Sequence, residues 1–349
     1  MFTEIKNRIE LELAGYIRGV DKTFAISRGS PVLFNALKDF ISREGKRIRP
    51  FLFIISYLGF TKRSAPGIYT SAVALELLHD FMLIHDDIID KSMTRRGAPS
   101  MHAMLNSHLR DYKDIKFSGE DLGIVAGDML YAMALRAFLS VKEDVSRKES
   151  ALKKLMESAV FTGSGEFIEL LYGAKDINEV TKKDVFRIYD LKTANYSFAT
   201  PLCMGAILGG APRRQADMLF QAGIYLGRAF QIRDDCLGLF GDEGKMGKPS
   251  LTDLQEAKKT ILIWYAYNRS GKKDRSAVER ILSKKSVGRD DLYEMRRILS
   301  RSKTLEFAAR QIGALLKNGR SLIASSKMLP RCKSSLMDYA GRILALPRL

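Results

Sequence analysis

The sequence has only three cysteines among its 349 residues, and it lacks a long hydrophobic run. Cys203, Cys236 and Cys332 fit no metal-ligand or redox spacing, which indicates reduced, packed thiols. The longest apolar run, 51–60, is too short for a transmembrane helix, which needs about 20 residues. Residues 1–13 contain acids and no long apolar core, unlike a signal peptide. We therefore expect a soluble, cytoplasmic protein without a membrane span.

Proline is also scarce, with nine residues in the chain. No proline- or serine-rich linker divides the sequence, which predicts a single domain over residues 1–349. Helical periodicity dominates, and no segment of useful length alternates apolar and polar residues as a strand does. Pro201 should kink or break the helical segment 181–210. The sequence thus predicts an all-α fold.

Acidic residues are in the minority, because 57 Lys and Arg outnumber 40 Asp and Glu and leave a net charge of +17. Such a balance first suggests a nucleic acid or an anionic surface as partner. The basic residues are spread widely, however, and runs such as 272–275 lack interleaved aromatic residues. We interpret them as solvated helix faces and expect no nucleic-acid partner. A positive field would also attract small polyanionic substrates.

The segment 78–90 places acids and a histidine inside an otherwise apolar helix. At about 100° per residue, His79, Asp86 and Asp90 fall within about 20° of one direction, whereas Asp87 lies about 80° away. Burying carboxylates is expensive, so these acids need a cation or a water-filled site. A solvated helix face fits poorly with the leucines and isoleucines around them.

Basic residues and a second acidic helix end complete the pattern. Arg95 and Arg96 follow the first acidic helix, and carboxylates that hold a metal beside arginines that hold phosphate oxygens describe a diphosphate site. The second acidic end, 230–238, again closes an apolar helix, so the two ends can face one another across a cavity. In EGKRIRP (44–50), Lys46 and Arg49 would share a face if helical.

These motifs together resemble the trans-isoprenyl diphosphate synthases, or polyprenyl synthetases, which include farnesyl and geranylgeranyl diphosphate synthases. The resemblance spans about residues 30–265, and residues 266–349 match only as a helical tail. It implies the isoprenoid synthase fold, with helices surrounding a deep central cavity, in a homodimer. Five ordered motifs carry it: EGKRIRP, LLHDFMLIHDDIIDKSMTRRG, GDML (127–130), LKTA (191–194) and FQIRDDCLGLFGDEGKMGKPSLTD.

The resemblance also implies roles for individual residues. It implies three Mg²⁺ ions per active site when substrate is bound, with Asp86, Asp90 and Asp234 as their expected ligands. The residues that match the pocket for isopentenyl diphosphate are Lys46, Arg49, His79 and Arg96. Those that match groups around the allylic diphosphate are Arg95, Lys192, Thr193, Gln231, Lys248 and Lys258, and the expected catalytic residues are Lys192, Thr193 and Gln231.

Two positions bear on activity and product length. Gly238 stands where the second DDxxD motif usually ends in aspartate, which leaves Asp234 and Asp235 intact, so activity is still expected. In the family, large aromatics just before the first aspartate stop chain growth early. Here one aromatic, Phe81, stands beside the flexible Met82. We expect mainly geranylgeranyl diphosphate, with farnesyl diphosphate or a longer product as the alternatives.

The predicted activity is Mg²⁺-assisted ionisation of an allylic diphosphate (dimethylallyl, geranyl or farnesyl), followed by attack of isopentenyl diphosphate and loss of a proton. A terpene cyclase or head-to-head condensing enzyme on the same fold is the nearest rival. The basic motif 44–50 disfavours it, because a one-substrate cyclase binds no second diphosphate. Intact aspartates and basic residues disfavour a non-catalytic subunit of a heteromeric synthase.

Overall fold

The computed structural model describes residues 1–241 and 251–346, and its regular structure there is almost entirely helical. This confirms the all-α prediction. The helices are α1 (Phe2–Phe24), α2 (Ile26–Gly29), α3 (Pro31–Ser42), α4 (Ile48–Phe60), α5 (Ile68–Ile89), α6 (Met101–His108), α7 (Gly119–Phe138), α8 (Val145–Gly173), α9 (Lys182–Tyr189), α10 (Thr200–Leu208), α11 (Arg213–Phe240), α12 (Thr252–Gln255), α13 (Ile261–Arg269), α14 (Lys272–Leu282), α15 (Arg289–Arg301), α16 (Thr304–Ser325) and α17 (Pro330–Ile343).

The remaining regular elements are short. The strands β1 (Thr94–Arg95) and β2 (Ala98–Pro99) form an antiparallel hairpin directly after α5. Two 3₁₀ turns cover Leu109–Asp111 and Ile177–Glu179, and a π-helical segment covers Asp190–Ala199. Among the described helices, none combines the length and the apolarity needed to cross a bilayer.

Two compact units divide the chain. The first comprises Met1–Leu152 and Met204–Ala211, and the second comprises Lys153–Cys203 and Pro212–Leu349. The single domain expected from the sequence, and the cavity implied by the resemblance, stay predictions.

Helix α5 is the centre of the first unit. It packs against α1, α4 and α7, and from Ala72 to Leu78 almost nothing of it is exposed. Its neighbour α4 is equally apolar, and Phe51–Ile55 are fully buried. A helix that is hydrophobic all round belongs inside a protein. The acidic C-terminal end of α5 and the basic N-terminal end of α4 are therefore both fixed to a rigid core.

Helix α11 has the corresponding place in the second unit, where it packs against α16 and the π-helical segment. The predicted single helix over 181–210 is interrupted: α9 ends at Tyr189, and regular α-helix resumes only at Thr200, next to Pro201. Proline lacks the N–H that an α-helix needs and crowds the preceding turn. The predicted break is confirmed, and it takes the form of ten π-helical residues that contain Lys192 and Thr193.

Candidate active site

Asp86 and Asp90 lie one turn apart at the C-terminal end of α5. Both are half-buried, and their carboxylates offer oxygens within 4.8 Å of one another. The backbone N–H of Asp90, which caps the helix, donates to the carbonyl of Asp86 and fixes this spacing. Hard carboxylate oxygens with solvent access are the donors that Mg²⁺ prefers. The two residues therefore suit the metal role that the sequence predicted for them.

Asp87, between them, is fully buried and binds Arg95. The guanidinium donates from Nε to Oδ1 at 2.8 Å and contacts the same carboxylate through Nη2. Arg95 also reaches Asp86, with 3.3 Å between Nη2 and Oδ2. Burial is the largest single influence on Arg95 and opposes its charge, but the hydrogen bond and charge of Asp87, together with the charges of Asp86 and Asp90, outweigh it and raise the arginine pKa. Asp87 thus anchors Arg95 at the end of the helix.

Arg96 contacts a different aspartate, Asp80. Its Nη2 lies 3.4 Å from Asp80 Oδ1. The divergence of the two arginines follows from the hairpin turn, where Arg96 (φ 56°) and Gly97 (φ 74°) adopt left-handed conformations. Asp80 is fully buried, and burial raises its pKa to about 7 despite Arg96. The sequence analysis missed Asp80, although an acid two helical turns before Asp87 was a usable signal.

The basic motif 44–50 lies partly before α4 and partly within it. Lys46 is exposed and precedes the helix, whereas Arg49 is half-buried within it. The two therefore do not share a helical face, because α4 begins only at Ile48. Arg47, between them, is fully buried and bonds to Glu10 and Glu76, each at 2.8 Å. It holds the motif to the core rather than facing a ligand.

His79 belongs to the same basic surroundings. Burial and the charges of nearby arginines, chiefly Arg49 and Arg96, lower the pKa of His79 well below its usual value. The imidazole is therefore neutral at physiological pH. It can offer a hydrogen bond to a diphosphate but no positive charge.

The residues predicted to set product length lie on α5, one and two turns from the acidic end. The Phe81 ring lies 4.7 Å from the ring of His85 and 5.3 Å from that of Tyr131 on α7. Met82 is half-buried beside it. Helix α7 approaches closely because position 127 is glycine, where a Cβ would lie 2.3 Å from His85 Cε1. Tyr131 was not predicted.

The second unit brings Thr193 and Gln231 together in a hydrogen-bonded chain. Thr193 Oγ1 donates to Gln231 Oε1 at 2.7 Å, and Gln231 Nε2 donates to Asp235 Oδ1 at 2.9 Å. The buried Asp235 also accepts from the hydroxyl of Tyr189, which in turn accepts the N–H of Ile261 at 2.8 Å. These hydrogen bonds fix the side chains of Thr193 and Gln231, two of the predicted catalytic residues.

The lysines of the second unit lie against acids that the sequence analysis did not single out. Lys192 Nζ lies 2.5 Å from Glu166 and 2.6 Å from Glu169. Helix α8 comes this close because position 165 is glycine, where a Cβ would lie 2.7 Å from Lys192 N.

Two further lysines complete the predicted set. Lys258 pairs with Glu256 at 2.5 Å. Lys248 lies outside the described residues.

Asp234, the metal ligand expected in the second unit, differs from its neighbour Asp235. Its side chain keeps 37% of its surface exposed, while Asp235 is only 4% exposed. Arg233 Nη1 lies 3.3 Å from Asp234 Oδ1. A half-exposed carboxylate with a hard oxygen donor suits Mg²⁺ here as well.

The chain is similar to one family of known proteins. A model of the polyprenyl synthetase family matches residues 30–299. The chain is 31% identical over 304 residues to a short chain isoprenyl diphosphate synthase of Methanocaldococcus jannaschii, covering 87% of this chain and 84% of that protein. It is 29% identical over 346 residues to a geranylgeranyl diphosphate synthase of Saccharolobus solfataricus, covering 97% and 96%.

Solved structures show the same similarity. Geranylgeranyl pyrophosphate synthase from Corynebacterium glutamicum, complexed with isoprenyl diphosphate and magnesium, superposes with a TM-score of 0.88 at 26% identity, over 99% of this chain and 100% of that one. This confirms the predicted isoprenoid synthase fold. The chain belongs to the polyprenyl synthetase family.

Proposed function

We propose that the protein condenses isopentenyl diphosphate with an allylic diphosphate and releases mainly geranylgeranyl diphosphate. Its family makes it a trans-prenyltransferase, as predicted. The observation that carries the proposal is the end of α5, where two half-buried aspartates stand beside two arginines held in different directions. Such a site can hold diphosphate oxygens in two places.

In the first unit, Asp86 and Asp90 would hold Mg²⁺, and in the second unit Asp234 would. When bound, Mg²⁺ supplies positive charge that stabilises the departing diphosphate.

The protein's own side chains bind and orient both substrates. Arg95 and Lys192 donate to oxygens of the allylic diphosphate. Lys46, Arg49 and Arg96 hold isopentenyl diphosphate, with neutral His79 as a hydrogen-bonding partner.

Two side chains of the second unit, Thr193 and Gln231, are already oriented before the chemical step. Thr193 and Gln231 are fixed to each other by a 2.7 Å hydrogen bond, so neither reorganises when the substrate ionises. We propose that Gln231 donates to the allylic diphosphate through the second N–H of its amide as charge builds on it, and that Thr193 holds that amide in place. Lys258 also donates to this diphosphate, and Lys248 is included on the family resemblance alone.

Product length should depend on the side chains of α5 below Asp86. We propose that Phe81, backed by the Tyr131 ring, and the more yielding Met82 end the space for the growing tail. Met82→Phe should therefore shorten the product, and Phe81→Ala should lengthen it. Chromatography of the dephosphorylated products measures both changes. Unchanged length in both variants would mean that other residues stop the chain.

We also propose a homodimer, on the strength of exposed apolar side chains along α8. Met156, Val160, Phe167 and Leu171 lie within about 60° of one direction on this helix, and each of them is between 46% and 68% exposed. Exposed apolar patches of this kind mark interaction surfaces. Light scattering should give a dimer, and Phe167→Glu should give a monomer.

The decisive test is a reaction. Purified protein is incubated with isopentenyl diphosphate, Mg²⁺ and each allylic starter in turn, and the products are dephosphorylated and separated. We expect mainly geranylgeraniol, with activity abolished by a chelator and restored by Mg²⁺. A cyclic hydrocarbon, or no condensation with any starter, would contradict the proposal.

The two-pocket arrangement has its own test. Removing one charge-assisted hydrogen bond costs about 1.5–3 kcal/mol, so Arg49→Ala should raise the KM for isopentenyl diphosphate about 10- to 100-fold. The KM for the allylic substrate should change little. An equal rise for both substrates would contradict separate pockets.

A further inference from the structure

Two aspartates of α5 hold the two consecutive arginines of the hairpin. Asp80 and Asp87 are seven residues apart, which places them two turns apart on nearly the same side of the helix. Both are fully buried. Asp87 binds Arg95, and Asp80 lies against Arg96. Each arginine thus has a buried acid of its own.

The environment of Asp80 is unusual for a buried acid. Neither of its carboxylate oxygens has a hydrogen-bond partner, and its ion pair with Arg96 is long, at 3.4 Å. Burying a carboxylate under these conditions is unfavourable, and a lone buried ion pair adds little stability. Stability alone therefore does not account for the acid at this position.

The guanidinium of Arg96 indicates the role of Asp80. Its Nη1 is buried and has no hydrogen-bond partner, so the protein leaves a donor of this guanidinium unused. Its backbone is left-handed, and its guanidinium lies against Asp80 whereas that of Arg95 binds Asp87. A guanidinium that lies against Asp80 through Nη2 and keeps Nη1 unused can bind an anionic oxygen.

We propose that Asp80 is a positioning residue that holds Arg96 for isopentenyl diphosphate, as Asp87 holds Arg95 for the allylic diphosphate. The two aspartates thereby assign neighbouring arginines to different substrates. This inference rests on the proposed function, because it names which diphosphate each arginine binds.

Matched isosteric variants test the assignment. Asp80→Asn should raise the KM for isopentenyl diphosphate about tenfold and leave the allylic KM within about twofold, since one charge-assisted contact loses its geometry. Asp87→Asn should do the reverse. Equal changes in both KM values for Asp80→Asn would overturn the proposal.

A double-mutant cycle separates positioning from a structural role. If Asp80 acts through Arg96, then Asp80→Asn adds no further rise in KM to Arg96→Gln. If Asp80 only supports the fold, the two effects add, and the proposal is wrong. The double variant also removes both charges of the pair, so it can be measured even if Asp80→Asn alone folds poorly.

The pH dependence gives a second readout. The charged groups that face Asp80 are Glu76 on α5, Arg47 just before α4, Arg49 on α4, and Arg96 on the hairpin. Because burial raises the Asp80 pKa to about 7, lowering the pH from 8 to 6 should protonate it and release Arg96. Both substrates are diphosphates, so the ratio of their KM values cancels substrate protonation.

The KM for isopentenyl diphosphate divided by the KM for the allylic substrate should rise several-fold on acidification in the wild-type enzyme. In Asp80→Asn this ratio should not change with pH. A flat ratio in the wild type would contradict the proposal. If the wild-type enzyme condenses no substrates at all, the proposed function fails. If it condenses them and Asp80→Asn keeps both KM values, only the assignment by Asp80 fails.

Discussion

The two aspartate motifs of the molecule look alike in sequence and differ in how the structure holds them. In each, the first aspartate is half-buried and the second is buried: Asp86 and Asp87 in the first unit, Asp234 and Asp235 in the second. The buried member has different partners in the two units. Asp87 is neutralised by Arg95, whereas Asp235 accepts hydrogen bonds from a tyrosine hydroxyl and a glutamine amide.

The difference separates two ways of keeping a carboxylate inside a protein. A guanidinium cancels its charge, and neutral donors only solvate it. In both units the buried acid anchors neighbouring side chains, and the half-exposed acid is the one for which a metal role is predicted. In this chain the two aspartates of each DD pair are therefore not equivalent.

The largest effect should come from the half-exposed acids. Asp86→Ala or Asp90→Ala should lower kcat at least ~10²-fold, because each removes a carboxylate that places positive charge beside the leaving group. Asp87→Ala should be milder. Turnover is measured over a range of Mg²⁺ concentrations, with Asp111→Ala, an exposed acid of the same unit, as the control. Near wild-type turnover of both variants at limiting Mg²⁺ would remove the metal assignment.

The anchors should differ in stability. Asp87→Asn leaves Arg95 with only the weaker contact to Asp86, and we expect it to lower the free energy of unfolding by about 2 kcal/mol. Asp235→Asn keeps a neutral acceptor, so its cost should be about 1 kcal/mol. Urea unfolding of both variants measures the contrast. Equal losses would mean that the charge of the partner does not matter.

The hydroxyl that holds Asp235 should have a smaller effect. Tyr189→Phe removes one donor from the carboxylate, so we expect a loss of about 1 kcal/mol in stability and a several-fold lower kcat through looser Gln231 and Thr193. Both KM values should stay near wild type. Lys183→Ala, at an exposed position of the same helix, is the control. An unchanged kcat would show that the hydrogen-bonded chain is not needed for turnover.

The smallest effect should come from completing the second motif. Gly238→Asp places a carboxylate one turn after Asp234, as Asp90 follows Asp86, and should lower the Mg²⁺ concentration for half-maximal activity about two- to threefold. Gly238→Asn is the matched control, since its side chain has nearly the same shape and helix propensity but no carboxylate. A shift of the same size in both variants would assign the effect to the helix alone.

Periodicity was sufficient to predict the all-α fold and the shared direction of His79, Asp86 and Asp90. It was insufficient for Asp80 and Asp87, because their burial depends on arginines from a hairpin whose left-handed turn has no helical period. Glu166 was missed for a related reason: on α8 it looks like any polar residue of an amphipathic helix. Its contact with Lys192 requires the close approach at Gly165.

The π-helical segment could not be predicted either. Pro201 signalled a break in the helix, but where the break begins and how the chain turns within it depend on the packing of α11. Contacts between residues far apart in sequence, such as Tyr189 with Asp235, follow from that packing. The sequence patterns therefore predicted the candidate site, and the tertiary structure shows which of its acids are buried against other side chains.

The same π-helical segment has a consequence for how this chain can change. In a π-helix the backbone hydrogen bonds join residues five apart, whereas in an α-helix they join residues four apart. Asp190–Ala199 therefore contains more residues per turn than a regular α-helix. Loss of a single residue there would let the segment wind as α-helix, which would change the directions of its own side chains. Lys192 and Thr193 would then lose their orientation while both flanking helices remained intact. An insertion or deletion in this segment would therefore reorient Lys192 and Thr193 without any change of side chain. The length of the segment is as important to the site as the residues in it.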